Sequence, residues 1–176
     1  MQIEPWWYRI CGLQVQEDGQ LAAVWLAHDK VCDRVTLYDC HLNRREVLVV
    51  QAEAIKRRGA RIPVAWPAGC EEITGRLLRD YGVNMLPEAV TESEAMAESV
   101  SLDLEERMRT GRFKVDAGQA GWLEEYRTFH RQDGKVPRKS HPLMAATRSA
   151  IAMLDWARPE VLPGAHKALK PKLAII

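Results

Sequence analysis

The sequence predicts an α/β domain on a mixed sheet: three antiparallel strands first, then strands alternating with helices, and helices on both faces. Three observations carry this. Three β-rich segments follow one another before residue 40, separated by short polar turns. From residue 43 on, helical periodicity alternates with short β-rich runs, a pattern that suits a layered α/β unit. The second opening segment, Leu21 to Ala27, is apolar at every position, as expected of a strand covered on both faces.

Residues 8–15 read as the first strand. Gly19, in Glu17-Asp-Gly-Gln, supplies a hairpin turn into the second. Val35 to Tyr38 forms the third. A helix then starts at Asn43, which can cap it with Glu46 three positions on. Val47, Leu48, Val50, Ala54 and Ile55 form its apolar face, and Gly59 ends it after Lys56-Arg57-Arg58. Ile62 to Trp66 is a short strand, 71–81 a second helix weakened by Gly75, and Val83 to Leu86 another short strand. Residues 93–110 form the clearest helix, with Ala97, Val100, Leu104 and Met108 on one side and Gly111 as the stop. Phe113 to Val115 is a brief strand, and Gln119 to His130 a helix carrying Trp122, Tyr126 and Phe129. Asp133-Gly134 makes a turn. Ser140 caps a last helix with Pro142 in its first turn and Leu143, Thr147, Ala150 and Leu154 facing inward. Residues 1–157 make one domain, and 158–176 read as a loosely ordered basic tail with three prolines and Lys167, Lys170 and Lys172. A ribonuclease H-like sheet has this order of elements.

The 176 residues suit one domain, and 47% hydrophobic with 28% charged residues is a globular composition. A net charge of +1, from 25 basic and 24 acidic residues, excludes a uniformly basic shell, so nucleic-acid contact has to come from a local patch. The DNA-contact candidates are Arg57, Arg58, Arg131, Lys135, Arg138 and Lys139. No apolar run nears the roughly 20 residues that span a bilayer, and Met1 to Trp7 has no secretory pattern, so a cytoplasmic location with no membrane partner is expected. Cys11, Cys32, Cys40 and Cys70 form no CxxC pair and read as reduced thiols. There is no GxGxxG, P-loop or HExxH, so no ATP chemistry is expected. Trp6-Trp7 packs against the sheet edge or, failing that, offers a partner-binding pair.

Several strings carry a resemblance. They are Ala22-Ala-Val-Trp-Leu-Ala-His-Asp29, Ile62-Pro-Val-Ala-Trp-Pro67, Gly82-Val-Asn-Met-Leu-Pro-Glu88, Met108-Arg-Thr-Gly-Arg-Phe-Lys-Val115, Glu124 to Lys135, and Leu143-Met-Ala-Ala-Thr-Arg148. In this order and spacing, over roughly residues 5–157, they resemble the C-terminal nuclease domain of tailed-phage terminase large subunits. The resemblance implies a ribonuclease H-like fold, a two-metal carboxylate site, and cutting of concatemeric viral DNA during packaging. The family carries an ATPase motor ahead of this domain. Met1 stands almost at the nuclease boundary, so the motor is expected to be absent or separately encoded.

The implied acids are where the chain departs from the family. Gln14 stands where an aspartate ends the first strand. Ala68 and Gly69 follow Trp66-Pro67 where a second acid is expected, and His141 and Pro142 occupy the acid positions that open the last helix. Two-metal cleavage needs carboxylates around two cations about 4 Å apart, and these positions offer none. The expectation is a phage or prophage pseudo-nuclease in the bacterial cytoplasm. It would need no metal, and would bind double-stranded DNA or packaging components such as portal or terminase subunits. The alternative is an active Mg²⁺- or Mn²⁺-dependent endonuclease rebuilt around Asp18, Glu72, Glu98 and His141.

Overall fold

The structure is a computed structural model that describes residues 2–43, 46–91, 93–138 and 140–160. Strands β1 (Tyr8–Val15), β2 (Leu21–Asp29) and β3 (Arg34–Asn43) form an antiparallel meander. Gly19 takes the first turn with φ +81°, a conformation that glycine adopts without strain. β1 is central. Along one edge it pairs with β2 over its whole length. Its other edge takes β4 (Val64–Ala65) in parallel and β6 (Arg158–Pro159) in antiparallel pairing. At the far edge β5 (Phe113–Val115) pairs parallel to β3.

Among the described residues five α-helices cover the sheet: α1 (Leu48–Lys56), α2 (Glu71–Arg79), α3 (Glu94–Arg109), α4 (Ala120–Thr128) and α5 (Pro142–Ala152). The period-2 alternation of β2 divides its side chains between two cores. Ala22, Val24 and Leu26 join Leu104, Trp122, Leu143, Met144 and Ala150, which come from α3, α4 and α5. Leu21, Ala23 and Trp25 join Ala52, Ile55 and Leu77, which come from α1 and α2. Helix α5 is buried from Leu143 to Ile151, so it is the core helix rather than a surface one. Its close approach to the sheet depends on Gly12: a Cβ there would lie 2.0 Å from the Ala146 carbonyl oxygen and 2.8 Å from the Ala150 Cβ. Trp122 is locked under the same helix, its Nε1 donating to Thr147 Oγ1 at 2.9 Å. Among the described residues no helix is long and apolar enough to cross a membrane.

Several local expectations need correction. β3 runs on to Asn43, so Asn43 ends a strand and α1 begins five residues later without a side-chain cap. Asn43 does bond Glu46, but through its side-chain amide to the carboxylate. The buried face of α1 is Gln51, Ala52 and Ile55, while Val47 and Val50 lie exposed. Valines set one after another do not mark a helical face, and packing on the sheet chooses it. Residues 83–86 make only single bridges and backbone bonds beside β4, with Met85 opposite Val64. Arg158 and Pro159 belong to the sheet rather than to a loose tail. The rest of the predicted tail, residues 161–176, lies outside the described residues.

Candidate functional site

β1 and β4 run parallel, with Gly12 opposite Ala65. Their C-terminal extensions therefore emerge side by side, the place where open α/β sheets hold ligands. The crevice there has a volume of about 440 Å³, and Gln14, Glu17, Gly69, Cys70, Glu71 and Glu72 line it. Gln14 and Gly69, two of the three positions singled out by the resemblance, thus share one crevice. A second hollow, lined by Asp18 and Ser140, shares Gln16 and Glu17 with it. His141 adjoins that hollow through Ser140.

The side chains show what this crevice can do. Gln14 is buried. Its Nε2 donates to its neighbour's carbonyl, Val15 O, at 3.3 Å, and its Oε1 has no partner among the described residues. Glu71 Oε1 accepts from the Gly69 N–H at 2.9 Å, and this bond holds its carboxyl below the usual range. Asp18 Oδ1 accepts from the Gln20 N–H at 2.9 Å and so serves the hairpin turn. His141 shares hydrogen bonds with Ser140 Oγ (Nδ1, 2.8 Å) and Thr128 Oγ1 (Nε2, 3.3 Å), and its ring meets Phe129 edge-on at 5.3 Å. Burial, then the neighbouring His130 and Arg148, pull its pKa down and favour the neutral ring.

Glu98 is taken up elsewhere. Both its oxygens receive Arg131, at 2.6 Å each. Asp18, Glu72, Glu98 and His141 therefore do not assemble as one ligand set. Among the described residues no three His, Cys, Asp or Glu side chains come together in a metal-binding group. Two divalent cations require several hard anionic oxygens at close range. Among the described residues, the neutral Gln14 amide and a Glu71 carboxylate already bonded to the Gly69 N–H fall short of that requirement.

The DNA-contact candidates divide in the same way. Arg131 pairs with Glu98, and Lys135 with Glu94 at 2.9 Å, so the turn after α4 is tied to α3 by its own cations. Arg58 is structural: it bonds Asp39 and the Ala54 carbonyl and lies over the Trp25 ring at 4.6 Å. Arg57 and Arg138 are exposed, and Lys139 lies outside the described residues.

One residue at this end went unread in the sequence. Glu125 of α4 accepts the Leu143 and Met144 N–H groups at 2.9 and 3.1 Å, capping α5 in place of the predicted Ser140. Burial raises its pKa although these two bonds oppose the shift. Nothing local marks it, because donor and acceptor stand 18 and 19 residues apart.

No family profile matches the chain. The terminase large subunit of Salmonella phage P22 is 33% identical over 127 residues, which are 65% of this chain and 25% of that protein, so the chain spans a quarter of its relative's length. The solved nuclease domain of the P22 large terminase superposes with a TM-score of 0.82 at 27% identity, covering 91% of this chain and 88% of that one. The large terminase nuclease domain of bacteriophage SPP1, solved with bound Mn, superposes at 0.68 and 18% identity over 83% and 86% of the two chains. By sequence over 127 of its residues and by fold over nearly all of it, the chain is similar to the nuclease domain of tailed-phage terminase large subunits.

Proposed function

We propose that this domain serves phage DNA packaging as a binding module that no longer performs metal-dependent cleavage. The observation that carries the reading is Gln14: a buried neutral amide, with an oxygen unpartnered among the described residues, at the strand end of the crevice. An amide oxygen can approach a cation, but it adds no charge to offset the repulsion between two. Without paired cations no water is activated and no leaving oxygen is clamped. The partners that suit the retained framework are double-stranded DNA and the other components of a packaging assembly, portal or terminase subunits.

A second reading has its own observation. Glu17, Glu71 and Glu72 line the same crevice as Gln14, so a site rebuilt on this side would place Mg²⁺ or Mn²⁺ near Glu72 rather than near Glu98. One assay separates the two. Supercoiled plasmid is incubated with Mn²⁺ and either wild type or Glu72→Gln. The binding-module reading expects no nicking above buffer. Nicking by wild type that disappears in Glu72→Gln would replace it with the rebuilt endonuclease. Binding is read separately, from retardation of a duplex by the uncut protein.

A further inference from the structure

The opposite end of β1 carries a second cavity. It is lined by Arg9, Arg61 and Arg158, with Glu160, Ile62, Pro159 and the Gly59-Ala60 backbone. Its volume is about 130 Å³, well above the roughly 10–15 Å³ that one water needs. Arg9 and Gln14 stand five residues apart on an extended strand, about 16 Å, so this cavity is separate from the crevice and independent of the reading given for it.

Charge in the cavity is unbalanced. Arg9 Nη1 bonds Glu160 at 2.6 Å. Among the described residues neither Arg61 nor Arg158 has a carboxylate partner. Among the described residues, three arginines thus line the cavity against one carboxylate. Arg9 Nε is buried with no acceptor among the described residues, a donor that costs free energy until something accepts from it. The Arg158 guanidinium is steadied by the Ala157 carbonyl at 3.0 Å, so part of its ordering is already done. Glu160 is the exposed member of the set: its side chain is 60% exposed, against 15% for Arg9.

We propose that this cavity is a phosphate site in which Arg9, Arg61 and Arg158 converge on one phosphate group, and in which Glu160 is the internal anion that the phosphate displaces. Phosphate fits better than a second carboxylate. Its tetrahedral oxygens accept from several forks at once, and its charge meets the surplus left by a single Glu160. The phosphate is either a free ion or the terminal group of a nucleic acid.

The arginine Nε–H resonances report the site directly. Inorganic phosphate is titrated into the ¹⁵N-labelled full chain and the Nε–H signals are followed. A saturable shift of the Arg9 signal is expected, weakened about tenfold in Arg61→Gln, the size of one charge-assisted bond, and about a hundredfold in Arg61→Gln/Arg158→Gln, and tightened several-fold in Glu160→Gln. Arg61 is exposed, so Arg61→Gln alone carries the test if the double variant does not fold. An oligonucleotide with and without a 5′-phosphate then separates the sources: binding that needs the 5′-phosphate assigns a nucleic-acid end, and binding of inorganic phosphate alone assigns the free ion. No saturable shift in wild type or in Glu160→Gln, or equal affinity with and without Arg61, would overturn the proposal.

Discussion

Gly12 and Gln14 stand two residues apart on the same face of β1, and they obey different rules. Gly12 lies under α5, where the helix backbone comes so near that no side chain fits. Gln14 lies just past that contact, at the crevice, with an oxygen that nothing among the described residues satisfies. The first position is set by packing, and any change there moves a buried helix. The second carries a buried polar side chain whose amide donates to the adjacent carbonyl, Val15 O. The contrast teaches that packing and site chemistry are separable along a single strand: a seam closed to any side chain lies two residues from a crevice position that admits a polar one.

The most damaging test of the seam is Gly12→Ala. The added Cβ meets backbone on one side and Ala150 on the other, so α5 has to shift as a unit. A loss of about 3 kcal/mol is expected, at the upper end of the usual cost of overpacking, read from the urea midpoint. A loss under about 1 kcal/mol would show that α5 gives way easily and that the seam is not rigid.

That seam was only partly legible in the sequence. The opening meander was, because an unbroken apolar run and a glycine turn between alternating segments have few other solutions. So was α3, whose Ser93 caps it by accepting the Met96 N–H at 3.1 Å. The Asp133-Gly134 turn was legible too, both residues taking positive φ. The full burial of α5 was not, since an apolar helix in a small domain can lie on a core or inside one. The crevice was legible only through the resemblance, which brought Gln14 and Gly69 to one place. Glu125 and Asp33 were invisible because their partners are distant: Asp33 bonds His28, Arg107 and Arg112, the last two 74 and 79 residues away.

A milder test of the seam is Thr147→Val, close to isosteric, which strips the acceptor from the Trp122 indole in a buried contact. Leaving that N–H unpaired is expected to cost about 2 kcal/mol. Trp122→Phe in the Thr147→Val background should then cost less than Trp122→Phe alone. Strict additivity would show that the hydrogen bond contributes nothing of its own.

Far from both positions, Asp33 ties the β2–β3 turn to α3 and β5. Burial opposes its charge, but the bonds from Arg107, His28 and Arg112 prevail and hold its pKa at about 2. Its folded value lies below its unfolded one. The stabilisation is therefore present above about pH 4 and lost as pH falls from there toward 2. Asp33 also holds φ +48°, which asparagine tolerates, so Asp33→Asn tests charge and not backbone. Because the side chain is 44% exposed, solvent screening keeps the effect near 1 kcal/mol at neutral pH. The variant should also have a shallower stability loss between pH 4 and 2. An unchanged acid limb would remove Asp33 from the account.

The smallest expected effect is at Gln14, and it sharpens the comparison most. Gln14→Leu removes a buried oxygen that has no partner among the described residues and an amide that reaches only the adjacent carbonyl, Val15 O. Relieving an unsatisfied buried group returns free energy of the same order as the lost 3.3 Å bond. The two terms nearly cancel, so stability should stay within about 1 kcal/mol of wild type or rise. A near-neutral result, beside the large cost two residues earlier, would mark Gln14 as a position that folding leaves free. A loss as large as that of Gly12→Ala would mean that the amide is structurally engaged in the folded protein. It would then be a built part of the crevice, and the neutral position would owe its glutamine to packing rather than to a lapsed metal site.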